Sequence, residues 1–411
     1  MTSQVASHSS RTEPPKLTRS IARLVGTWDI GAMPVVLGLI LIALIFQAAN
    51  SNFLSPLNLT NLMVQIASTG TIAIGVVLVL LIAEIDLSVG AVSGFCASIM
   101  AVLSVKNSVP APLAVGAGIV SGILVGLIQG FWFAKLRVPS FIVTLAGLLS
   151  WQGALLYVLG STGTVNLTDP WIIGIANMLL PPVLGWSLGI IFILALGVST
   201  WLTYRHRRRM GFQDQSAAWL IARVLLVAAI VLGAIAIMTV NRSPTGFQPI
   251  QGVPSAVVIF IGLIIVFDFI TQRTKFGRYV FAIGGNVEAA RRAGVNVDRI
   301  RILVFMLASM LAACGGILAA SRLFAVNQSS GGGDVLLNAI AAAVIGGTSL
   351  FGGRGSTWSA LLGVLVIGSI SNGMDLLAFS SYIKFMVTGV VLLLAVTLDS
   401  FARSRREASG R

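Results

Sequence analysis

The chain has 411 residues, 56% of them apolar and only 10% charged, and its 27 Lys/Arg against 13 Asp/Glu give a formal net charge of +14. An average soluble domain is about 45–50% apolar and about 25% charged. A soluble reading would therefore require helices apolar on every face with too little polar surface to cover them. The chain reads instead as an all-α, polytopic integral membrane protein. The positive charge is divided among short loops and two tails, which argues against a nucleic-acid partner, since such binders gather charge on one folded face.

Residues 1–27 are polar, with Arg11, Lys16, Arg19, Arg23 and the pair Pro14–Pro15, and no apolar core precedes residue 30. A secretory signal would place an apolar stretch directly after a short basic region. The expectation is a disordered cytoplasmic N-terminal tail, a transmembrane domain over 28–400 and a basic cytoplasmic C-terminal tail over 401–411. Apolar runs approaching the roughly 20 residues that cross a bilayer as helix predict about 12 (10–12) transmembrane helices. They lie near 33–49, 60–83, 88–105, 113–134, 140–160, 186–203, 217–240, 254–272, 302–320, 335–351, 357–373 and 381–399. Small and polar side chains dilute the second and tenth. With the N-terminus inside, 23 of the 27 basic residues fall on the cytoplasmic side, and only Lys106, Arg242, Arg322 and Lys384 fall opposite. Basic residues accumulate in loops that stay in the cytoplasm, so both termini are expected there.

Cys96, Cys314, His8 and His206 lack metal-ligand spacing. The stretch containing Gly346, Gly347 and Thr348, continuing through Gly352 and Gly353, lacks the Gly-Lys-Ser/Thr of a P-loop. Its glycines suit a tight turn or close helix packing, or exposed backbone lining a solute path. Between the second and third runs stand Glu84, Asp86 and Ser88. Asp86 or Ser88 suits an N-cap of the next helix, and an ionisable group at a span edge equally suits a gate. Asp268, Asp334 and Asp375, all near span ends, raise the same alternative, with interfacial solvation as the simpler account. The loop from Arg273 to Arg301 carries seven basic residues and only Glu288 and Asp298 as acids. Asn286 is a fair N-cap and Gly294 a fair C-cap, which predicts a short helix over 287–293. It would present Glu288, Arg291 and Arg292, with a small-residue surface at Ala289, Ala290 and Ala293, as a docking element.

The segment Glu288-Ala289-Ala290-Arg291-Arg292-Ala293-Gly294 resembles the Glu-Ala-Ala-x-x-x-Gly core by which permease subunits of bacterial ABC importers engage their ATPase. Where the fullest form continues as Ile-x-Leu-Pro, this chain has Val304-Phe305-Met306-Leu307. Glu84 to Gly90, Val138 to Gly147 and Ala343 to Ser356 resemble the branch serving ribose, xylose and related sugars. The extra segment at about 186–253 is similar to the xylose type. The resemblance implies an ABC importer permease fold in the bacterial inner membrane and a pentose substrate, with no covalent chemistry and no cofactor on this chain. Gly285, Asn286, Glu288, Ala289, Ala290, Arg291, Arg292 and Gly294 would form the coupling site. The implied partners are a cytoplasmic ATP-binding subunit holding ATP and Mg, a periplasmic sugar-binding protein and a second permease copy in the lipid bilayer. The alternative is a self-contained ion-coupled secondary transporter, which needs ionisable or broken-helix sites near the bilayer midplane.

Overall fold

The computed structural model describes residues 33–210, 216–243 and 249–408. The N-terminal tail expected at 1–27 lies outside them. In chain order the helices are α1 (Met33–Ala49), α2 (Pro56–Leu81), α3 (Val89–Val105), α4 (Ala111–Ala134), α5 (Ser140–Leu159), α6 (Pro170–Asn177), α7 (Pro182–Arg209) and α8 (Ala217–Thr239). There follow α9 (Ser255–Arg273), α10 (Lys275–Gly285), α11 (Val287–Arg292), α12 (Val297–Leu323), α13 (Gly333–Ile345), α14 (Trp358–Leu376) and α15 (Ser381–Ala408). Every expected run carries an apolar helix, but among the described residues only eight helices are long and apolar enough to span a bilayer. The apolar parts of α1, α3, α13 and α15 are shorter. The last helix also continues to Ala408, into the segment read as a tail.

Helix α2 forms the centre, with α12 and α14 the next most enclosed. In the most apolar stretch of α2, 83% of residues are buried, and in those of α12 and α14, 61% each, against 11% and 6% for α7 and α8. The second run, diluted by Ser68, Thr71 and glycines, is thus the most enclosed helix, because small residues permit dense packing on all sides. A stripe of Gly122, Gly126 and Gly130 on α4 lies along α12, and Gly118, one turn before it, faces the Cys96 carbonyl of α3. A Cβ at Gly122 would sit 2.6 Å from the Ser309 carbonyl oxygen, and one at Gly126 2.4 Å from that of Phe305. These helices pack backbone to backbone. The α7–α8 hairpin, by contrast, leans on the outside of the bundle with its apolar surface free.

Short antiparallel ribbons close one end. Strand β1 (Thr164–Asn166) pairs with β4 (Ala325–Asn327), Val165 opposite Val326, and β2 (Leu179–Leu180) pairs with β3 (Val253–Pro254). The Asn58 and Asn372 side chains bond each other at the same end (2.7 Å). The ends bearing Lys135, Arg207, Arg273 and Arg301 lie at the other. Each pairing joins loops that the charge pattern assigns to a common side. The ribbons depart from a purely helical reading, and α6 is a short helix outside the expected runs.

The tenth run departs most. Helix α13 has 13 residues, about 20 Å of rise against about 30 Å of bilayer hydrocarbon, and it stops at Ile345, short of the expected 351. The turn before it packs closely on α3: a Cβ at Gly94 would fall 2.1 Å from the Ser330 carbonyl oxygen.

Candidate functional site: a three-loop junction, a docking helix and a polar cavity

At the arginine-rich end, three loops meet. Helix α2 unwinds at Ala83, which takes a left-handed φ of +61°. The carbonyl oxygen of Leu81, left without an intrahelical donor, accepts from the Gly353 N–H at 3.0 Å. Gly284, in the last turn of α10, presses on both partners: a Cβ there would lie 1.8 Å from the Leu81 oxygen and 2.5 Å from the Gly353 nitrogen. Gly352 and Gly353 take φ of +82° and +70°, a conformation that glycine adopts without steric cost. No side chain fits between these backbones.

Below the junction, the 82–88 loop is held by buried polar contacts. Glu84 accepts from the Ser140 hydroxyl (2.6 Å) and from the Arg301 guanidinium (3.1 Å). The Arg301 guanidinium also lies 4.6 Å from the Phe133 ring centroid, a cation–π placement. Burial pushes the Glu84 carboxyl above the usual carboxylate range, against the lowering effects of Ser140 and Arg301. Asp86 is 3% exposed. Its Oδ1 accepts from the Ser88 N–H (2.8 Å) and hydroxyl (2.7 Å), and Ser88 Oγ accepts from Gln129 Nε2 (2.9 Å). Burial raises the Asp86 pKa, and the Ser88 bonds oppose it. Neither residue caps α3: Ser88 occupies the N-cap position with no side-chain capping bond. Asp86 closes a local turn instead, and its Oδ2 is buried without a partner.

Helix α11, expected from the sequence as a docking element, follows the junction. The Asn286 side chain accepts from the Ala289 N–H (2.9 Å), and Gly294 turns the chain at a φ of +83°. Glu288 and Arg291 pair across one turn at 2.9 Å with both side chains more than half exposed, a geometry worth only a few tenths of a kcal/mol. The helix departs from expectation in two ways. It is preceded by a second amphipathic helix, α10, which buries Gly277, Val280 and Ile283. And Ala290 faces inward, 4% exposed, so the small-residue surface reduces to Ala289 and Ala293 beside Glu288, Arg291 and Arg292.

A cavity of about 410 Å³ opens between α2, α13, α14 and α15, lined by Gln65, Asp334, Asn338, Ser371, Asp375, Lys384, Phe385 and Thr388 among others. Lys384 pairs with Asp375 at its rim. Asp334, one of the lining residues, stands in the first turn of α13. Amide, carboxylate and hydroxyl groups beside an aromatic ring form the donor–acceptor mixture that small polar ligands require.

Similarity to known proteins covers nearly the whole length. Residues 58–396 match the family described as the branched-chain amino acid transport system permease component. The chain belongs to this permease family. It is 38% identical over 372 residues to the xylose transport system permease protein XylH of Escherichia coli K12, covering 90% of this chain and 92% of that protein. It is 37% identical to XylH of Haemophilus influenzae over 88% of this chain and 93% of the relative. Identity to the ribose import permease protein RbsC of Escherichia coli K12 is 31%, over 91% and 94%. No solved structure matches the chain.

The permease thus brings together Glu84, Gly284 and Gly353 from segments far apart in sequence, with Asp86 and Ser88 in the same loop. Gly346 and Gly347 lie in the turn closing α13: a Cβ at Gly346 would meet the Ser359 oxygen at 1.8 Å, which makes it a packing position. Thr348 is buried, its Oγ1 unpartnered. None of Glu84, Asp86, Ser88, Gly346, Gly347 and Thr348 lines the polar cavity. Arg301, Ser140, Gln129 and the cavity residues Gln65 and Asn338 were not singled out from sequence. Arg301 was concealed as one of many topology-setting charges. The paired glycines at 284–285 and 352–353 were the available signal for the junction.

Proposed function

We propose that the chain is the membrane-spanning permease subunit of an ATP-binding cassette importer in the bacterial inner membrane, carrying a monosaccharide, D-xylose or a related pentose. The observation that carries this reading is similarity to xylose transport permeases over nine tenths of the chain, in a protein whose arginine-rich end presents an exposed, doubly capped helix. That end is cytoplasmic on the positive-inside pattern, with about 12 (10–12) crossings and both termini inside.

A cytoplasmic ATP-binding subunit, carrying ATP and Mg, docks on α11 through Glu288, Ala289, Arg291 and Arg292. A periplasmic protein delivers the sugar to the opposite end, and a second copy of the permease completes the translocation path, with the polar cavity facing that path. The ATPase cycle displaces α10–α11. The Gly284–Leu81–Gly353 junction passes the displacement to α2 and α13, which border the cavity. Two states that bind the ATPase differently are the physical requirement.

Replacing Glu288–Gly294 with a Gly/Ser segment of equal length tests this assignment. Membrane insertion should persist while ATP-dependent uptake is lost. Undiminished uptake would remove α11 from the coupling role.

A further inference from the structure

The polar cavity of about 410 Å³ is built on a repeated spacing. Helices α13, α14 and α15 each line it with a charged residue and, four positions away, a neutral hydrogen-bonding one: Asp334 and Asn338, Asp375 and Ser371, Lys384 and Thr388. Residues four apart share one face of a helix, so each pair meets the cavity together. Asp334 and Asn338 are the only polar side chains of α13. The directions of the helices sort the pairs into two tiers. Helices α13 and α15 run away from the end that carries the ribbons, and α14 runs toward it. On all three, the charged residue is therefore the one nearer that end, and the neutral residue stands one turn further along, about 6 Å. Gln65, more than two turns past the start of α2, adds a neutral amide.

The neutral groups have hydrogen bonds to spare. Serine and threonine in the helices of this chain commonly bond the carbonyl four residues back, as Thr60, Thr71, Ser121 and Thr271 do at 2.7–2.8 Å. Ser371 and Thr388 make no such bond, and among the described residues the side chains of Gln65 and Asn338 have no hydrogen-bond partner either. All four are half-buried, whereas Asp334 and Asp375 are exposed and Asp375 pairs with Lys384. Polar groups that face a cavity without a protein partner bond water, and a ligand that reproduces those bonds can displace it. Amides and hydroxyls both donate and accept, whereas a carboxylate only accepts and an ammonium only donates. Sugar hydroxyls also do both. Four neutral groups around a space of small-ligand size therefore match a neutral polyol, and they hold it without the stronger charge-assisted bonds that would slow its release.

We infer that Gln65, Asn338, Ser371 and Thr388 form a hydroxyl-recognition tier for the carried sugar, bordered by a charged rim of Asp334, Asp375 and Lys384. The inference rests on the importer reading and adds to it the groups that select the substrate. A sugar that lacks the hydroxyl facing one of these side chains leaves that side chain unpaired, and its crossing slows. Selection here is for the positions of hydroxyls and is additional to selection by the sugar-binding partner.

The test uses proteoliposomes holding the full-length permease with its ATP-binding subunit and sugar-binding protein, and compares uptake of D-xylose with that of its monodeoxy analogues. Ser371→Ala and Thr388→Val each delete one hydroxyl at nearly constant shape. Because neither hydroxyl bonds protein, both variants should unfold at the wild-type temperature. A fall of several degrees would assign the hydroxyls to the fold and overturn the inference. Each variant should carry xylose about fivefold more slowly than wild type, the effect of one lost hydrogen bond. For the analogue lacking the matching sugar hydroxyl, the same substitution should cost less than about twofold, by the logic of a double-mutant cycle. Discrimination by the sugar-binding protein cancels in that comparison. Asp334→Asn, on the rim, should affect xylose and every analogue alike. Equal losses for xylose and all analogues in both Ser371→Ala and Thr388→Val would overturn the inference, as would analogue-dependent losses confined to Asp334→Asn. Either result beside normal wild-type uptake leaves the importer reading standing, whereas a wild type that carries no sugar would overturn both.

Discussion

Two adjacent glycines of α10 should respond to the same substitution with opposite sign. At Gly284 a methyl group would lie 1.8 Å from the Leu81 oxygen and 2.5 Å from the Gly353 nitrogen, where ordinary contact begins at 3.4 Å. At Gly285 a Cβ meets nothing within 4 Å. The atoms against Gly284 are backbone and cannot rotate away, so the segments must part by roughly 1.5 Å, well inside the repulsive wall of a carbon contact. Overpacking costs about 1–3 kcal/mol and the Gly353–Leu81 hydrogen bond contributes about 1 kcal/mol, so Gly284→Ala should destabilise by about 2–4 kcal/mol. Gly285→Ala should gain up to about 1 kcal/mol, the helix-propensity difference between the residues. Thermal unfolding of the purified variants, followed by intrinsic fluorescence, reads the sign directly. In reconstituted transporter, Gly284→Ala should also lose sugar uptake while still holding the ATPase, since α11 is untouched. Equal unfolding temperatures for the two variants would refute the close backbone junction and the transmission route built on it.

Other perturbations test the neighbouring contacts. Arg301→Met strands Glu84, and with both side chains less than a fifth exposed it should cost about 2–4 kcal/mol, a little under the fully buried range. Glu84→Gln combined with Arg301→Met should recover part of that loss in the same unfolding measurement. The raised native pKa values of Glu84 and Asp86 mean that the folded state holds protons that the unfolded state releases. Stability should therefore fall as pH rises from the ordinary carboxylate value near 4 through the higher native values, and Asp86→Asn, which keeps the bonds from Ser88, should flatten that decline. An unchanged pH profile in Asp86→Asn would contradict burial of its charge. Asn338→Leu should reduce sugar uptake about fivefold, the worth of one lost hydrogen bond, without loss of the ATPase from the complex. Uptake at wild-type rate would remove the cavity from the path.

The helices were legible because a membrane span announces itself by hydropathy alone, and the α11 caps because Asn286 and Gly294 act through local backbone geometry. What sequence reading missed depends on contacts between distant segments. Helix α13 ends at Ile345 because Gly347 turns the chain at a φ of +104° just beyond it, while the apolar pattern runs on past it. Helix α10 could have been found from Phe276, Val280 and Ile283 at helical spacing, but the basic residues around them suggested an open loop. The ribbons are two or three residues long, too short for a period to register. Ala290 turned inward because a six-residue helix resting on α12 must bury one side. The polar cavity draws Gln65, Asn338, Ser371 and Thr388 from four helices, none carrying a local signature.

The central claim is that an external ATPase, not an ion gradient, drives this permease. The most direct measurement is uptake of radiolabelled xylose into proteoliposomes containing the permease, its ATP-binding subunit and its sugar-binding protein, with ATP enclosed or omitted and with ionophores present. The account predicts uptake that requires ATP and the ATP-binding subunit and is indifferent to ionophores. Uptake by the permease alone, driven by an imposed ion gradient and abolished by ionophores, would contradict it.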